Sequence, residues 1–360
     1  QKWRAFKMGR CKLIVIEYGA NTLNGEKRAL VTGACGSIGS ELVKSLLGKG
    51  FVVCAFDNNE NGLFKLDQNY KDLYNNRLRL FVGDIRDKDR LIKAFEGVEI
   101  VYHCAALKHV YLAEYNPFEA MLTNIIGTNN VISAAIIANV DKVVYTSSDK
   151  AVNPSSTMGA TKLLGERLMT AANHHSGNNK TRFASVRFGN VLNTSGSVLH
   201  IFNQQIEDGL PLTITSTEMT RFFLSMSQAL DLCLYASNKM VGGEIFVRNM
   251  GCCSILSLAK AISGDKDVNY KIIGHKSGEK LYEELVTESE ALRTVYKDEW
   301  YTILPDTINS MDPKCAENLE GVYGDLPKMN RSLSSDREMM SDDEVRSMLR
   351  HVGLIDLLRT

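Results

Sequence analysis

Short apolar runs alternate with helix-like periods through the first half of the chain. Residues 29–31, 51–56, 78–82, 98–103 and 142–146 form five β-rich runs. Between them, 40–47, 91–95 and 128–138 repeat their apolar positions at the spacing of a helix face. Strands that are apolar throughout, rather than alternating, are buried on both faces. That pattern predicts βαβ units with right-handed crossovers and helices on both sides of a parallel sheet. A helix over 161–172 and a sixth strand over 182–188 continue the series. The fold class expected is α/β, a Rossmann-type doubly wound parallel sheet with a smaller C-terminal region.

After about Asn190 the segments shorten and become more polar, broken by Gly209-Leu210-Pro211, Gly242-Gly243 and Gly251. Four parts follow: an extension over 1–27 with no assigned place, a Rossmann domain over 28–190, a smaller region over 191–305, and a tail over 306–360. The tail reads as polar and irregular until a capped helix over 341–349.

Composition narrows the function classes. Forty-two Lys+Arg against forty-two Asp+Glu leave a formal net charge of zero. Bulk attraction to nucleic acid or an anionic membrane is therefore not expected. Eight cysteines are scattered without a Cys-x-x-Cys, the pattern of reduced thiols in a cytoplasmic protein rather than a disulfide framework. No apolar run approaches the ~18 residues of a membrane span, and residues 13–16 are too short for a signal-peptide core. The chain begins at Gln1, which leaves open an upstream segment, an anchor included. Its seven histidines show no metal-ligand spacing, so no metal is expected.

The chemistry gathers at strand ends. Gly33-Ala34-Cys35-Gly36-Ser37-Ile38-Gly39 follows the first strand and opens a helix. Glycines there allow a tight turn and close backbone approach, so a pyrophosphate can rest on the helix N-terminus. Plain turns use glycine too; the strand–turn–helix context favours a dinucleotide. Asp57 ends the second strand, where a carboxylate accepts from an adenosine ribose and repels a 2′-phosphate. NAD is therefore expected, with NADP the alternative; a loop or N-cap aspartate is the bland reading. Asp84-Ile85-Arg86 can reach an adenine or form a salt-bridged turn. Ser147-Ser148-Asp149-Lys150 ends the fifth strand, and Met158 and Lys162 lie one helical turn apart beyond it. Adjacent acid and amine can divide proton transfers, or simply cap a helix as a solvated pair.

With these residues assembled, the chain resembles the extended short-chain dehydrogenase/reductases, and more narrowly the UDP-N-acetylglucosamine 4,6-dehydratases. The resemblance runs from about Arg28 to about Pro305. It rests on the glycine turn continued through Ser40-Glu41-Leu42, on His103-Cys104-Ala105-Ala106-Leu107-Lys108-His109-Val110, and on Asn124-Ile125-Ile126-Gly127-Thr128. Further matches are Ser148 to Pro154, Met158 to Lys162, Arg187 to Leu192, Met219 to Phe222 and Gly278 to Glu284. The glycine turn is widely shared, whereas the Ala-Ala-Leu-Lys and Asp-Lys-Ala segments are far more specific.

The resemblance implies a redox-neutral lyase acting on UDP-N-acetylglucosamine, with 191–305 mainly substrate-binding. The sugar is oxidised at C4, loses its C5 proton and C6 hydroxyl, and takes hydride back at C6. By similarity Lys150 is the C5 base and Asp149 the C6 acid, with Ser148 beside them. Those roles ask for a lowered lysine pKa and a raised aspartate one. Lys162 would bind the nicotinamide ribose and Asn124 support the site, with Ala105 and Ala106 also on the cofactor. Substrate contacts would come from Lys108, Arg187, Asn190, Ser197, Val198, Arg221, Lys276 and Glu279, with Lys280 a further diphosphate candidate. A homo-oligomer is also implied.

Departures from the pattern matter. Met158 stands where these dehydrogenases usually carry the tyrosine that takes the oxidised hydroxyl's proton, which a thioether cannot do. The C4 base is then Asp149, Ser148 through water, or water alone. Tyr111 and Ser277 replace the usual prolines, and Lys276 an arginine, losing its bidentate fork. A 4-epimerase and an inactive nucleotide-binding scaffold are the rival readings.

Overall fold

In a computed structural model of the chain, the described residues are 27–354, apart from 71–72, 75–76, 176–179, 195–196, 265–267, 276 and 307–312. Residues 1–26 of the extension and Lys276 lie outside them. The six expected strands are β1 (Arg28–Thr32), β2 (Val52–Asp57), β3 (Leu78–Val82), β4 (Ile100–His103), β5 (Lys142–Ser148) and β6 (Arg182–Phe188). They pair in parallel in the order β6-β5-β4-β1-β2-β3. Thr32 lies in register with both Phe56 and His103, so the strand order reverses at β1. A crevice opens above the strand ends at that reversal, the place where such sheets bind ligands.

Each sheet face is closed by helices whose apolar stripes match the strands. On one face α1 (Ser37–Gly48) and the helix Met226–Lys239 bury Leu42, Leu46, Leu232 and Cys233. On the other, Lys88–Phe95, Thr128–Ile137 and Thr157–His175 bury Leu91, Phe95, Val131 and Met169. Each fully buried large side chain contributes about 1.5–3 kcal/mol relative to exposure. This double cover holds the strand ends rigid beneath the crevice.

The boundary near residue 190 marks a change of rhythm, not the end of the sheet. Ile245–Arg248 adds parallel to β6, and Trp300–Ile303 and Thr294–Lys297 extend it antiparallel, giving nine strands. Between these returns, short strands build a flanking layer: Thr220–Leu224 pairs with Gly251–Ser254 and with Asn190–Val191. The tail is more ordered than its polar composition predicts. Pro313–Tyr323 is a helix whose Leu319 and Tyr323 pack on Val295. Leu333–Ser334 pairs with Glu284–Val286. The final helix, Asp342–His351, does carry the expected cap, Ser341 and Glu344 bonding reciprocally.

One expectation about apolar length is corrected. Pro117–Ile137 forms 21 helical residues, with an 18-residue window of mean hydropathy 1.4, long and apolar enough by those measures to cross a membrane. Its inward side carries polar groups bonded to a neighbouring helix and to β4. The Asn124 amide donates to Thr161 Oγ1 at 2.9 Å, and Thr128 Oγ1 lies 3.1 Å from the His103 ring. The apolar content of this helix serves the layer over β4 and β5.

Candidate active site

A cleft of about 770 Å³ lies over the strand reversal. One half is built by the glycine turn. Gly33 has φ +66°, and a Cβ there would sit 2.7 Å from the Ala105 nitrogen. At Gly39 a Cβ would come within 2.0 Å of the Gly33 carbonyl. Both positions demand glycine, and the result is an open N-terminus at Ser37 and Ile38, which line the cleft. Asp57 is oriented by backbone amides: Cys35 N donates to Oδ2 and Asn59 N to Oδ1, each at 2.9 Å. Asp57 itself lines the cleft.

Asp84, Ile85 and Arg86 line the far end. Arg86 holds the Asp84 carboxylate, Nη2 to Oδ2 at 2.7 Å, and this hydrogen bond lowers the Asp84 pKa. The turn is salt-bridged, and it also borders the cleft. Asn124, on a π-helical turn over Leu122–Gly127, ties the floor together. Its Oδ1 accepts from Leu107 N at 2.8 Å, and its amide donates to Leu107 O at 3.0 Å. The 105–108 loop is thereby fixed against the helix that bears Met158 and Lys162. π-Helical turns recur at functional sites for this kind of re-aiming.

Lys162 is buried beneath the cleft. Its Nζ donates to Thr146 O at 2.8 Å and lies 4.7 Å from the centre of the Tyr145 ring. Burial pulls its pKa down to about 8, against the opposing charges of Cys104 and Glu166. Ser147 Oγ is buried with no hydrogen-bond partner among the described residues and belongs to a residue on the cleft wall. Met158 is 3% exposed and packs with Ala113, Ala120 and Val110. No proton-transferring group stands at its position.

The acid–amine pair is more enclosed than its sequence implies. Asp149 is fully buried, and Oδ1 accepts from Ser148 Oγ at 2.7 Å and from Lys150 Nζ at 3.0 Å. Ser148 and Lys150 line the cleft; Asp149 stands behind them. The expected lowering of the lysine pKa is not what the surroundings produce. Burial pulls Lys150 down, but Asp149 and then Glu283 outweigh it, and the net shift is upward.

The family model for polysaccharide biosynthesis protein matches residues 29–305. The chain belongs to that family. It is 37% identical to the inverting UDP-N-acetylglucosamine 4,6-dehydratase of Campylobacter jejuni, over 90% of this chain and 98% of that protein. It is 41% identical to a protein of Methanocaldococcus jannaschii named as an uncharacterized membrane protein, over 92% of this chain and 97% of that one. Among solved structures, Pen from Bacillus thuringiensis superposes with a TM-score of 0.82 at 36% identity, covering 91% and 98% of the two chains.

Within this polysaccharide biosynthesis fold, several residues expected at the substrate do something else. Arg187 is 1% exposed and is clamped by Glu166 and Glu290, Nη2 reaching each at 2.8 Å. It is a buried structural tie between β6, the Lys162 helix and the segment after Glu284–Val286, with no capacity left for a diphosphate. Arg221 is also turned inward, onto Thr220 O at 2.7 Å and Lys280 O at 2.9 Å. Lys280 donates to Val152 O at 2.7 Å. Glu279 accepts from Thr215 at 3.5 Å, away from the cleft wall. Ser197 stands at the N-cap position of the helix Val198–Glu207 without a side-chain cap hydrogen bond, beyond the wall, where Thr194 is the residue that borders the cleft. Asn190 Oδ1 sits 3.5 Å from Lys150 Nζ. Lys108 does line the cleft, and burial lowers its pKa.

Three polar residues escaped the sequence reading of the site. Ser147 was passed over within its own motif. Glu166 lies one turn beyond Lys162 and looks like any helix-surface acid. Glu283 sits inside the Gly278–Glu284 match, but nothing in the local sequence points it at Lys150.

Proposed function

We propose that this chain is a NAD-dependent UDP-N-acetylglucosamine 4,6-dehydratase, a hydro-lyase working early in surface-glycan deoxysugar synthesis. The observation that carries the reading is the Ser148–Asp149–Lys150 cluster at the end of β5, with Ser148 and Lys150 on the cleft wall and Asp149 bonded to both from behind. The residues fit the cofactor. Gly33 and Gly39 leave space that a Cβ would fill, Asp57 presents a carboxylate to an adenosine ribose, and Ser147 offers an unpartnered hydroxyl. When bound, NAD supplies reversible oxidation at C4 and the matching reduction at C6.

The chain's own residues then manage three protons. Ser148 accepts the C4 hydroxyl proton and passes it to Asp149, to which its hydroxyl already donates. Lys150, after releasing its resting proton to solvent, removes the C5 proton made acidic by the C4 ketone. Asp149 returns its proton through Ser148 to the departing C6 hydroxyl, which leaves as water, and the Lys150 ammonium reprotonates C5. Every proton taken is given back, so the cycle is redox-neutral and closes without a tyrosine. Lys162 holds the nicotinamide ribose, and Lys108 approaches the substrate diphosphate. Incubation with UDP-N-acetylglucosamine should give a new C6 methyl resonance by NMR. With folded, cofactor-loaded protein, absence of that methyl rejects the reading.

A 4-epimerase would return hydride to C4 and depends on a group at the Met158 position that exchanges a proton. Appearance of UDP-N-acetylgalactosamine without dehydration would favour it. The assembly is a homo-oligomer in this proposal, since Tyr111, Leu112, Tyr115 and Phe118 are exposed on adjoining short helices. Light scattering showing a monomer at micromolar concentration would refute that part. A UDP-sugar substrate and seven free cysteines among the described residues support a cytoplasmic setting.

A further inference from the structure

Lys150 does not face Asp149 alone. Glu283 arrives from the short layer beside the sheet and places Oε1 3.8 Å from Lys150 Nζ. Its side chain is 3% exposed, and burying a carboxylate is costly unless charge compensates it. Two further cations do so: Lys280 Nζ lies 3.3 Å from Oε2 and Arg221 Nε 4.0 Å from Oε1. Both are themselves fastened to carbonyls, Lys280 to Val152, Arg221 to Thr220, Leu281 and Lys280. The Glu283 backbone is pinned as well, its N–H donating to Ser335 Oγ at 2.9 Å. The groups facing Lys150 are therefore Asp149 from the end of β5, Asn190 from the strand after β6, Glu283, and, behind Glu283, Arg221 and Lys280.

We propose that Glu283 is a positioning residue for Lys150, holding the amine at the cleft and setting its basicity from across the fold. The inference rests on the dehydratase reading for its purpose but not for its test. At 3.8 Å the contact exceeds hydrogen-bond length, so Glu283 acts on Lys150 by charge, while Asp149 supplies the hydrogen bond. A carboxylate fixed there stabilises the ammonium, which makes the neutral amine a stronger base once formed. Removing an activated but still weak C–H acid calls for that strength. It also makes the base depend on the substrate-side layer: Lys150 is tuned only when residues 280–286 are seated against the turn that follows β5.

The test is the titration of Lys150 itself. The full chain is trace-labelled with acetic anhydride across alkaline pH, and Lys150 acylation is read by peptide mass spectrometry against exposed Lys49. In the unmodified chain Lys150 should reach half-reactivity above Lys49; half-reactivity at or below Lys49 overturns the proposal. In Glu283→Gln the Lys150 half-point should fall by about one pH unit or more, the scale of a lost neighbouring charge. A half-point that does not move overturns it. Should that variant not fold, Lys280→Met removes the competing cation and should raise the half-point; no rise overturns the proposal equally. Turnover is measured in parallel: a chain inactive on UDP-N-acetylglucosamine refutes the dehydratase reading, while the labelling still decides the role of Glu283.

Discussion

The two halves of the cleft are made in different ways. The cofactor half comes from consecutive pieces of chain: β1, the glycine turn, α1 and the end of β2, each a few residues from the next. The proton-handling half draws Ser148–Lys150 from β5, Asn190 from beyond β6, and Glu283, Arg221 and Lys280 from the flanking layer. A site built locally is set by backbone geometry, as at Gly33 and Gly39. A site built from distant segments is set by charge balance, and its lysine takes a pKa opposite to the one its burial alone implies. Lys162 and Lys150 show the contrast within one cleft. Lys162 is pulled down to about 8 by burial, whereas paired carboxylates hold Lys150 up against burial.

The two halves should separate under mutation. Lys150→Ala should lower kcat by about 10³-fold, within the range for a lost general base, while NAD affinity measured by titration stays unchanged. Next in size, Arg187→Met leaves Glu166 and Glu290 buried without their cation. It should cost about 3–5 kcal/mol in urea unfolding; a loss under about 1 kcal/mol would mean the clamp is not structural. Gly39→Ala forces a Cβ against the Gly33 carbonyl and should weaken NAD binding by roughly 10²-fold, an effect Lys150→Ala must not share. Asp57→Asn should move the NAD-to-NADP preference by roughly tenfold toward NADP, the scale of one charge interaction near a protein surface.

The smallest effect is a pH dependence. Unfolded lysine titrates near ~10.4, above the value of about 8 for Lys162 in the fold. Between those limits the unfolded chain holds more protons, so this group makes stability rise with pH through that window. Urea unfolding at about pH 7.5 and about pH 9.5 should show the rise, and Lys162→Met should remove it.

This contrast also explains what could be read from the amino acids alone. Six parallel strands, the glycine turn and the Asp57 position follow from periodicity and from the φ that only glycine adopts easily, both local properties. Lys108, Asp149 and Lys150 stand out by motif, and Lys108 and Lys150 border the cleft. Arg187 was misplaced because a buried clamp and a phosphate ligand use the same side chain. Only the positions of Glu166 and Glu290, distant in sequence, decide between them. The returns of 245–248 and 294–303 to the main sheet were missed for the same reason, since an added edge strand depends on what it packs beside. Glu283 was invisible as a partner of Lys150 because no local pattern encodes a contact made across the fold.

The central claim is dehydration through proton transfer at C5. Its most direct test is the product formed from UDP-N-acetylglucosamine with NAD in deuterated water, read by mass spectrometry and NMR. The account predicts loss of one water and gain of one deuterium at C5, with a C6 methyl whose returned hydrogen is not from solvent. A product of unchanged mass epimeric at C4, or a dehydrated sugar with no deuterium at C5, would contradict it.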